Sequence, residues 1–192
     1  IKPDHDKTWF ALGSAYESDG NNQEAIIHYN KAIEINTGYI NAYGNLGKLY
    51  TDIGDYVAAE DRLKTVIQID PEYADGFMRL GILYLEQEKF KEAVENLSRS
   101  TKLDAKDFNK FFNLANAYNN VKDWDKAIAA AQSCIDIREK FGGGWLELGI
   151  AEHGKGNIDK ALEYYNKAKE DNYWQKMAER KIDEIKNPQK YL

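Results

Sequence analysis

The sequence predicts an all-α solenoid, a stack of helical hairpins laid down in chain order. Two observations carry that prediction. The first is a strict period of 34 residues, without insertion or deletion, seen in Leu12, Leu46, Leu80, Leu114 and Leu148 and again in Ala25, Ala59, Ala93, Ala127 and Ala161. The second is that every period holds two apolar stripes with helical spacing. Units of this length bury a core only by stacking on their neighbours.

With units starting at Asp6, Ile40, Ala74, Phe108 and Gly142, the first helix of each is defined by positions four, seven, eight and eleven. Position four is aromatic throughout (Trp9, Tyr43, Phe77, Phe111, Trp145). Position eight is tiny (Gly13, Gly47, Gly81, Ala115, Gly149), and position eleven is Tyr16, Tyr50, Tyr84, Tyr118 and then Glu152. This i, i+3, i+4, i+7 spacing is one face of an α-helix. The second helix carries alanine at position twenty. Tyr29, Leu63, Leu97, Ala131 and Tyr165 follow at twenty-four, then Ala32, Val66, Ser100, Cys134 and Ala168 at twenty-seven. Glycine at position eight is expected to let the alanine at twenty approach closely. Turn signals separate the stripes: Asp19-Gly20-Asn21-Asn22, Gly54-Asp55 and Lys155-Gly156-Asn157. After the fifth unit, Trp174, Met177, Ala178, Ile182 and Ile185 form one more stripe, backed by Lys176, Glu179, Arg180, Asp183 and Glu184 and stopped by Asn187-Pro188. A polar-backed last helix is what the open end of a solenoid needs.

These columns resemble the tetratricopeptide repeat, whose pattern runs W-x2-L-G-x2-Y and then A, an aromatic, A and P at set offsets. The resemblance covers Asp6 to about Tyr173. It implies a right-handed α-solenoid of five repeats (6–39, 40–73, 74–107, 108–141, 142–173) and a capping helix at 174–187, in a single structural domain. Two departures bear on helix ends and on the last repeat. The closing proline is present only as Pro71, and Glu152 stands in place of the tyrosine.

Composition narrows the function. A net charge of −6 and a pI near 5.2 argue against a nucleic-acid phosphate partner. Cys134 is the only cysteine and falls in a small-residue core column, where a thiol behaves as a small hydrophobe. Tyrosine, lysine and asparagine interrupt every apolar stretch, so no transmembrane run is expected, and a soluble chain with the cytoplasm slightly favoured is the reading. Ile1 is not an initiator methionine. The chain is therefore read as an excised fragment or a processed product, with a signal peptide, anchor or upstream repeat outside view.

No enzyme is expected. His5, His28 and His153 are far apart in sequence and in repeat phase, and no cluster has metal-ligand spacing, so neither metal nor cofactor is called for. Gly142-Gly143-Gly144 lacks the trailing residues of a phosphate loop and reads as a loosened helix start. The carboxylates show no apolar neighbourhood that would tune one as a general acid.

The resemblance implies that the first helix of each hairpin lines a concave groove. Positions two, six, nine and thirteen form a stripe beside the packing face. The third repeat contributes Arg79 and Ile82 to it, the second Asn41, Asn45 and Lys48, and the fourth Asn109, Asn113, Asn116 and Asn120. Four asparagines in register disfavour the helix by a few tenths of a kcal/mol each, roughly. Their amides suit the main chain of an extended peptide, and Asn45 and Asn113 resemble groove asparagines of the family. Plain surface polarity is the alternative. Phe10, Met78, Phe112 and Leu146 adjoin the stripe at position five, as side-chain pockets or as ordinary helix packing; Phe112 is the better pocket because Phe111 already fills the core column. A family clamp for a terminal carboxylate is not matched: only Asn45 and Arg79 fit, and Phe10, Ser14 and Asp75 occupy the other places. The function expected is a non-enzymatic module binding an extended or helical peptide of a partner protein. The alternatives are a self-associating scaffold or one part of a larger anchored or catalytic protein.

Overall fold

The computed structural model describes residues 5–191, so Ile1 lies outside the described residues. Among them are eleven α-helices and a closing 3-10 turn. The chain divides into two compact units, one up to Glu88 and one from Lys89 onward. Unit 1 holds α1 (His5–Ser18), α2 (Asn22–Ile35), α3 (Ile40–Asp52), α4 (Tyr56–Ile69) and α5 (Ala74–Glu86). Unit 2 holds α6 (Phe90–Leu103), α7 (Phe108–Asn120), α8 (Trp124–Ile137), α9 (Gly142–Gly154), α10 (Ile158–Ala168) and α11 (Gln175–Lys186).

Each hairpin turns on two adjacent positions. The fifteenth residue of the repeat takes a left-handed conformation, with φ of 76° at Gly20 and 82° at Gly54 and Gly156. Glu88 and Lys122 occupy the same phase and are forced into the same region, at 56° and 60°, where a Cβ is disfavoured. In three of the five hairpins the next residue caps the second helix with its side chain: Asn21 accepts from the Glu24 N–H, Asp55 from Ala58 and Asp123 from Lys126, whereas Lys89 and Asn157 at the same position do not.

The glycine at position eight does not serve the alanine at twenty. A Cβ at Gly13 would stand 2.6 Å from Cδ1 of Tyr29; at Gly47 it would stand 2.5 Å from Cγ of Leu63, and at Gly149 2.5 Å from Cε1 of Tyr165. All three neighbours are position twenty-four, so the glycine makes room for the large side chain of the facing helix. In unit 1 one buried cluster is Ala25, Tyr29, Leu46 and Leu49, with Phe10, Tyr16, Ile26, Ile33 and Tyr50 around it. Leu12, expected in the core, is 40% exposed, whereas Leu46 is fully buried. That face of a first helix packs on the second helix of the hairpin before it, as Gly76 of α5 does on Val66 of α4, and among the described residues no hairpin precedes α1.

In unit 2, Leu146, Ala161, Tyr165, Ala168 and Ala178 form a core joined by Trp145, Ile150, Trp174, Ile182 and Ile185. Thus α11 covers the last hairpin, but Met177 faces solvent at 50% exposure instead of joining the stripe. The Gly142-Gly143-Gly144 run is no loosened helix start. All three residues are buried within α9, and a Cβ would come within 2.5 Å of Asp171, 2.7 Å of Phe141 and 3.0 Å of Ile135 respectively. The run is there for close packing.

Candidate functional site

The predicted stripe falls on α3 and α5 in unit 1 and on α7 in unit 2. In unit 1 it is wired to a buried tyrosine. The Tyr29 hydroxyl donates to Oε2 of Glu17 at 2.7 Å and accepts from the Asn45 amide at 3.1 Å. Lys48 donates to Oε1 of Glu17 at 2.9 Å and to Asp52 at 2.8 Å. Burial, reinforced by the Glu17 carboxylate, pushes the Tyr29 phenol up to about 12, so it remains a donor. Burial opposes the charge of Lys48, but its bonds to Asp52 and Glu17 outweigh this and hold its pKa above the ordinary value.

Arg79 reaches back across this network, its Nη1 donating to the Gly44 carbonyl at 3.2 Å. Lys48, Thr51, Asp52, Met78, Arg79 and Ile82 line a depression of about 300 Å³. The structure therefore brings Lys48, Arg79 and Ile82 to one trough. Asn45 supports it through Tyr29, while Asn41 is exposed at the start of α3 and not part of its lining.

In unit 2 the asparagines are spoken for locally. The Asn109 amide donates to Asp107 at 3.1 Å, Asn113 to the Asn109 carbonyl at 2.8 Å, and Asn120 to the Asn116 carbonyl at 2.9 Å. Asn116 donates to Oε1 of Glu147 at 3.0 Å. Each of the four asparagines thus has a partner within the chain itself. Phe112 is no open pocket either. It packs edge-on against Phe141, centroids 5.3 Å apart, and against Trp174 at 5.4 Å. Leu146, at 1% exposure, is core as the packing alternative expected.

Sequence reasoning missed three features. Glu147 is a carboxylate only 2% exposed, gripped by Asn116 and by Asn119, whose amide donates to Oε2 at 2.7 Å and to the Glu147 carbonyl at 3.0 Å. Burial raises its pKa; the two amides and the charge of Lys181 oppose that without cancelling it. The expectation that no carboxylate sits in apolar surroundings is overturned. The signal was an acid inside Trp145-Leu146-Glu147-Leu148. Lys110 is also 2% exposed, in a column that is small elsewhere, and is paired with Asp104 at 3.1 Å and Asp107 at 2.8 Å. The third feature is an aromatic column just before the first helices, where Tyr39 packs on Phe10 at 5.1 Å and Phe141 on Phe112. Tyr39, Tyr73 and Phe141 share one phase of the repeat.

Among the described residues no helix is long and apolar enough to cross a membrane. Three family models, each described as tetratricopeptide repeat, match residues 4–72, 54–118 and 112–176. Small glutamine-rich tetratricopeptide repeat-containing protein 2 of Saccharomyces cerevisiae is 36% identical over 53 residues, which is 28% of this chain and 15% of the yeast protein. The match therefore spans far less than two thirds of that relative. The crystal structure of MamA protein superimposes with a TM-score of 0.75 at 25% identity, over 97% of each chain. YrrB, described as a tetratricopeptide repeat protein with an unusual peptide-binding site, superimposes with a TM-score of 0.72 at 23% identity, over 90% of each chain. The likeness to YrrB speaks for the fold.

Proposed function

Because the chain belongs to the tetratricopeptide repeat family, we propose that it is a non-catalytic interaction module whose unit 1 trough binds an extended or helical peptide of a partner protein. The observation that carries this is the joint lining of the depression by Arg79, Lys48, Met78 and Ile82. Polar groups that fix direction beside an apolar floor are the composition of a peptide site. Asn45 is half-buried, with its amide nitrogen already bonded to Tyr29; its carbonyl oxygen accepts from the peptide main chain. Asn41 extends the polar rim at the start of α3. In unit 2, Asn109, Asn113 and Asn120, whose amide nitrogens are bonded locally, offer their carbonyl oxygens as a second row of acceptors, and Asn116 and Phe112 hold the helix that carries them. The peptide-binding site named for YrrB supports the same use of the fold.

The test is selection of a phage-displayed random peptide library on the chain, followed by calorimetry of an enriched peptide. The double variant Arg79→Ala/Ile82→Ser should lose about 1–3 kcal/mol of binding, from an unpaired polar contact and a lost apolar one. Undiminished affinity would move the binding surface off α3 and α5. Self-association is favoured by one observation, the exposure of Leu12 on a face that is buried in later hairpins. A molar mass that rises with concentration in light scattering, and that falls back on Leu12→Ser, would establish it.

A further inference from the structure

The trough of unit 1 continues beyond the inner faces of α3 and α5. A second depression, about 510 Å³, shares Thr51, Asp52 and Ile82 with the first and carries it outward to the turn between α3 and α4, where Ile53, Tyr56 and Glu86 line it. That turn differs from its equivalents in the same chain. At the fourteenth and eighteenth positions of the repeat stand Asp19 and Gln23, Gln87 and Lys91, Val121 and Asp125, and Lys155 and Asp159, but here Ile53 and Val57. Ile53 is 46% exposed and Val57 83%. The fold does not call for them, since the left-handed Gly54 and the Asp55 cap make the turn, and Gly156 occupies the same phase between Lys155 and Asp159. Single exposed apolar residues are ordinary, but Ile53 lines the trough and Val57 follows it four residues on, and two such residues together point to a contact surface.

The charges at this outer end have one sign. Asp52 and Glu86 are the charged residues of its lining, and Asp55 stands in the turn itself. The nearest cation of the inner trough, Lys48, is held between Glu17 and Asp52. Arg79 lies at the inner end, bonded to the Gly44 carbonyl.

We propose that this lip reads a specific feature of the partner peptide: a bulky apolar side chain next to a lysine or arginine. The inference rests on the trough being a peptide site and adds what that peptide must carry. The apolar side chain seats among Ile53, Tyr56 and Ile82, covering surface now open to water. The neighbouring cation faces Glu86 and Asp52, where opposite charge lowers its desolvation cost and steers the peptide into register. An acidic residue there would meet the Glu86 carboxylate and be disfavoured, the Asp52 charge being already shared with Lys48.

The experiment selects a phage-displayed random dodecapeptide library on the wild-type chain and on three variants: Ile53→Ser/Val57→Ser, Glu86→Lys and Arg79→Ala. The substituted lip side chains are exposed, and a thermal melt of each variant verifies the fold. The wild type should enrich peptides with a large apolar residue beside lysine or arginine. The lip double variant should bind them about tenfold or more weakly, as loss of an apolar anchor does, and Glu86→Lys should shift the enriched neighbour from basic towards acidic. If the enriched peptides lose affinity in Arg79→Ala but not in the lip variant, the trough stands and this inference falls. If neither variant weakens them, or if no peptide is enriched, the trough reading falls with it.

Discussion

Glu147→Gln removes the most deeply buried carboxylate among the described residues of unit 2 and turns its surroundings into a measurable pH dependence. In the folded chain Glu147 is desolvated and its pKa is raised, while in the unfolded chain it titrates near ~4.3. Between those two values the folded state holds more protons than the unfolded state. Stability must therefore be fully present at and below the unfolded value and fall as pH rises through the window, with a limiting slope of about 1.4 kcal/mol per pH unit. Above the folded value the slope vanishes and the ionised carboxylate remains buried. The groups facing it do not rescue it: Lys181 of α11 is bonded to Glu184 at 2.8 Å, the Tyr165 hydroxyl of α10 has no hydrogen-bond partner, and Cys134 of α8 has its thiol pushed up to about 12 by burial. Glutamine stays uncharged at every pH and, like a protonated glutamate, presents one accepting oxygen and one donating group, although its amide nitrogen carries two N–H donors where the acid has a single O–H. It fits if the Asn116 amide rotates to accept while Asn119 keeps its bond to the Glu147 carbonyl. The variant should thus match the wild type near pH 4.5, exceed it as pH rises through the folded value of Glu147, and keep that margin to pH 8. The assay is urea unfolding at half-unit pH steps followed by tryptophan fluorescence, which reports mainly on unit 2 because Trp124, Trp145 and Trp174 lie there. Every other ionisable group is common to both proteins, so the difference between the curves belongs to position 147. A difference that does not change with pH, or a wild type that is the more stable at pH 8, would refute the reasoning.

Three further outcomes follow from the packing. Lys122→Gly relieves a left-handed lysine and should stabilise by about 0.5–1 kcal/mol after the entropy of the unfolded glycine is discounted, raising Tm by roughly 1–4 °C; Gly156→Lys should lower it by a similar amount, and a thermal melt of both decides. Gly149→Ala places a methyl group 2.5 Å from the Tyr165 ring, so a loss of about 1–3 kcal/mol in chemical unfolding is expected. Deleting residues 173–192 removes Trp174, Ala178, Ile182 and Ile185 from the core of the last hairpin and should produce aggregation visible by light scattering; a monomeric product with unchanged melting would mean that α11 is not a cap.

The helical hairpins were legible because an apolar stripe and its period state directly which face of a helix is buried. What a stripe does not state is the partner across the contact. Glycine at position eight was visible, but that it faces Tyr29, Leu63 and Tyr165 depends on how the two helices are rotated. Leu12 fits its column and is exposed because burial belongs to a neighbouring hairpin and not to the residue. Met177 had the spacing of the last stripe but lies at its edge. The site was less legible. Lys48, Arg79 and Ile82 were found from phase alone, since one helix face follows from spacing. Asn116 and Phe112 were read as open for the same reason, and only side-chain geometry shows that Glu147 and Trp174 take them up.

Hydrogen exchange of the chain with and without a library-selected peptide tests the central claim most directly. The amides of α3 and α5, Asn41 to Glu86, should gain protection on binding, strongest around Lys48, Arg79 and Ile82, with α8 and α10 unchanged. Protection confined to α8, α10 or the exposed face of α1, with α3 and α5 unaffected, would contradict the account.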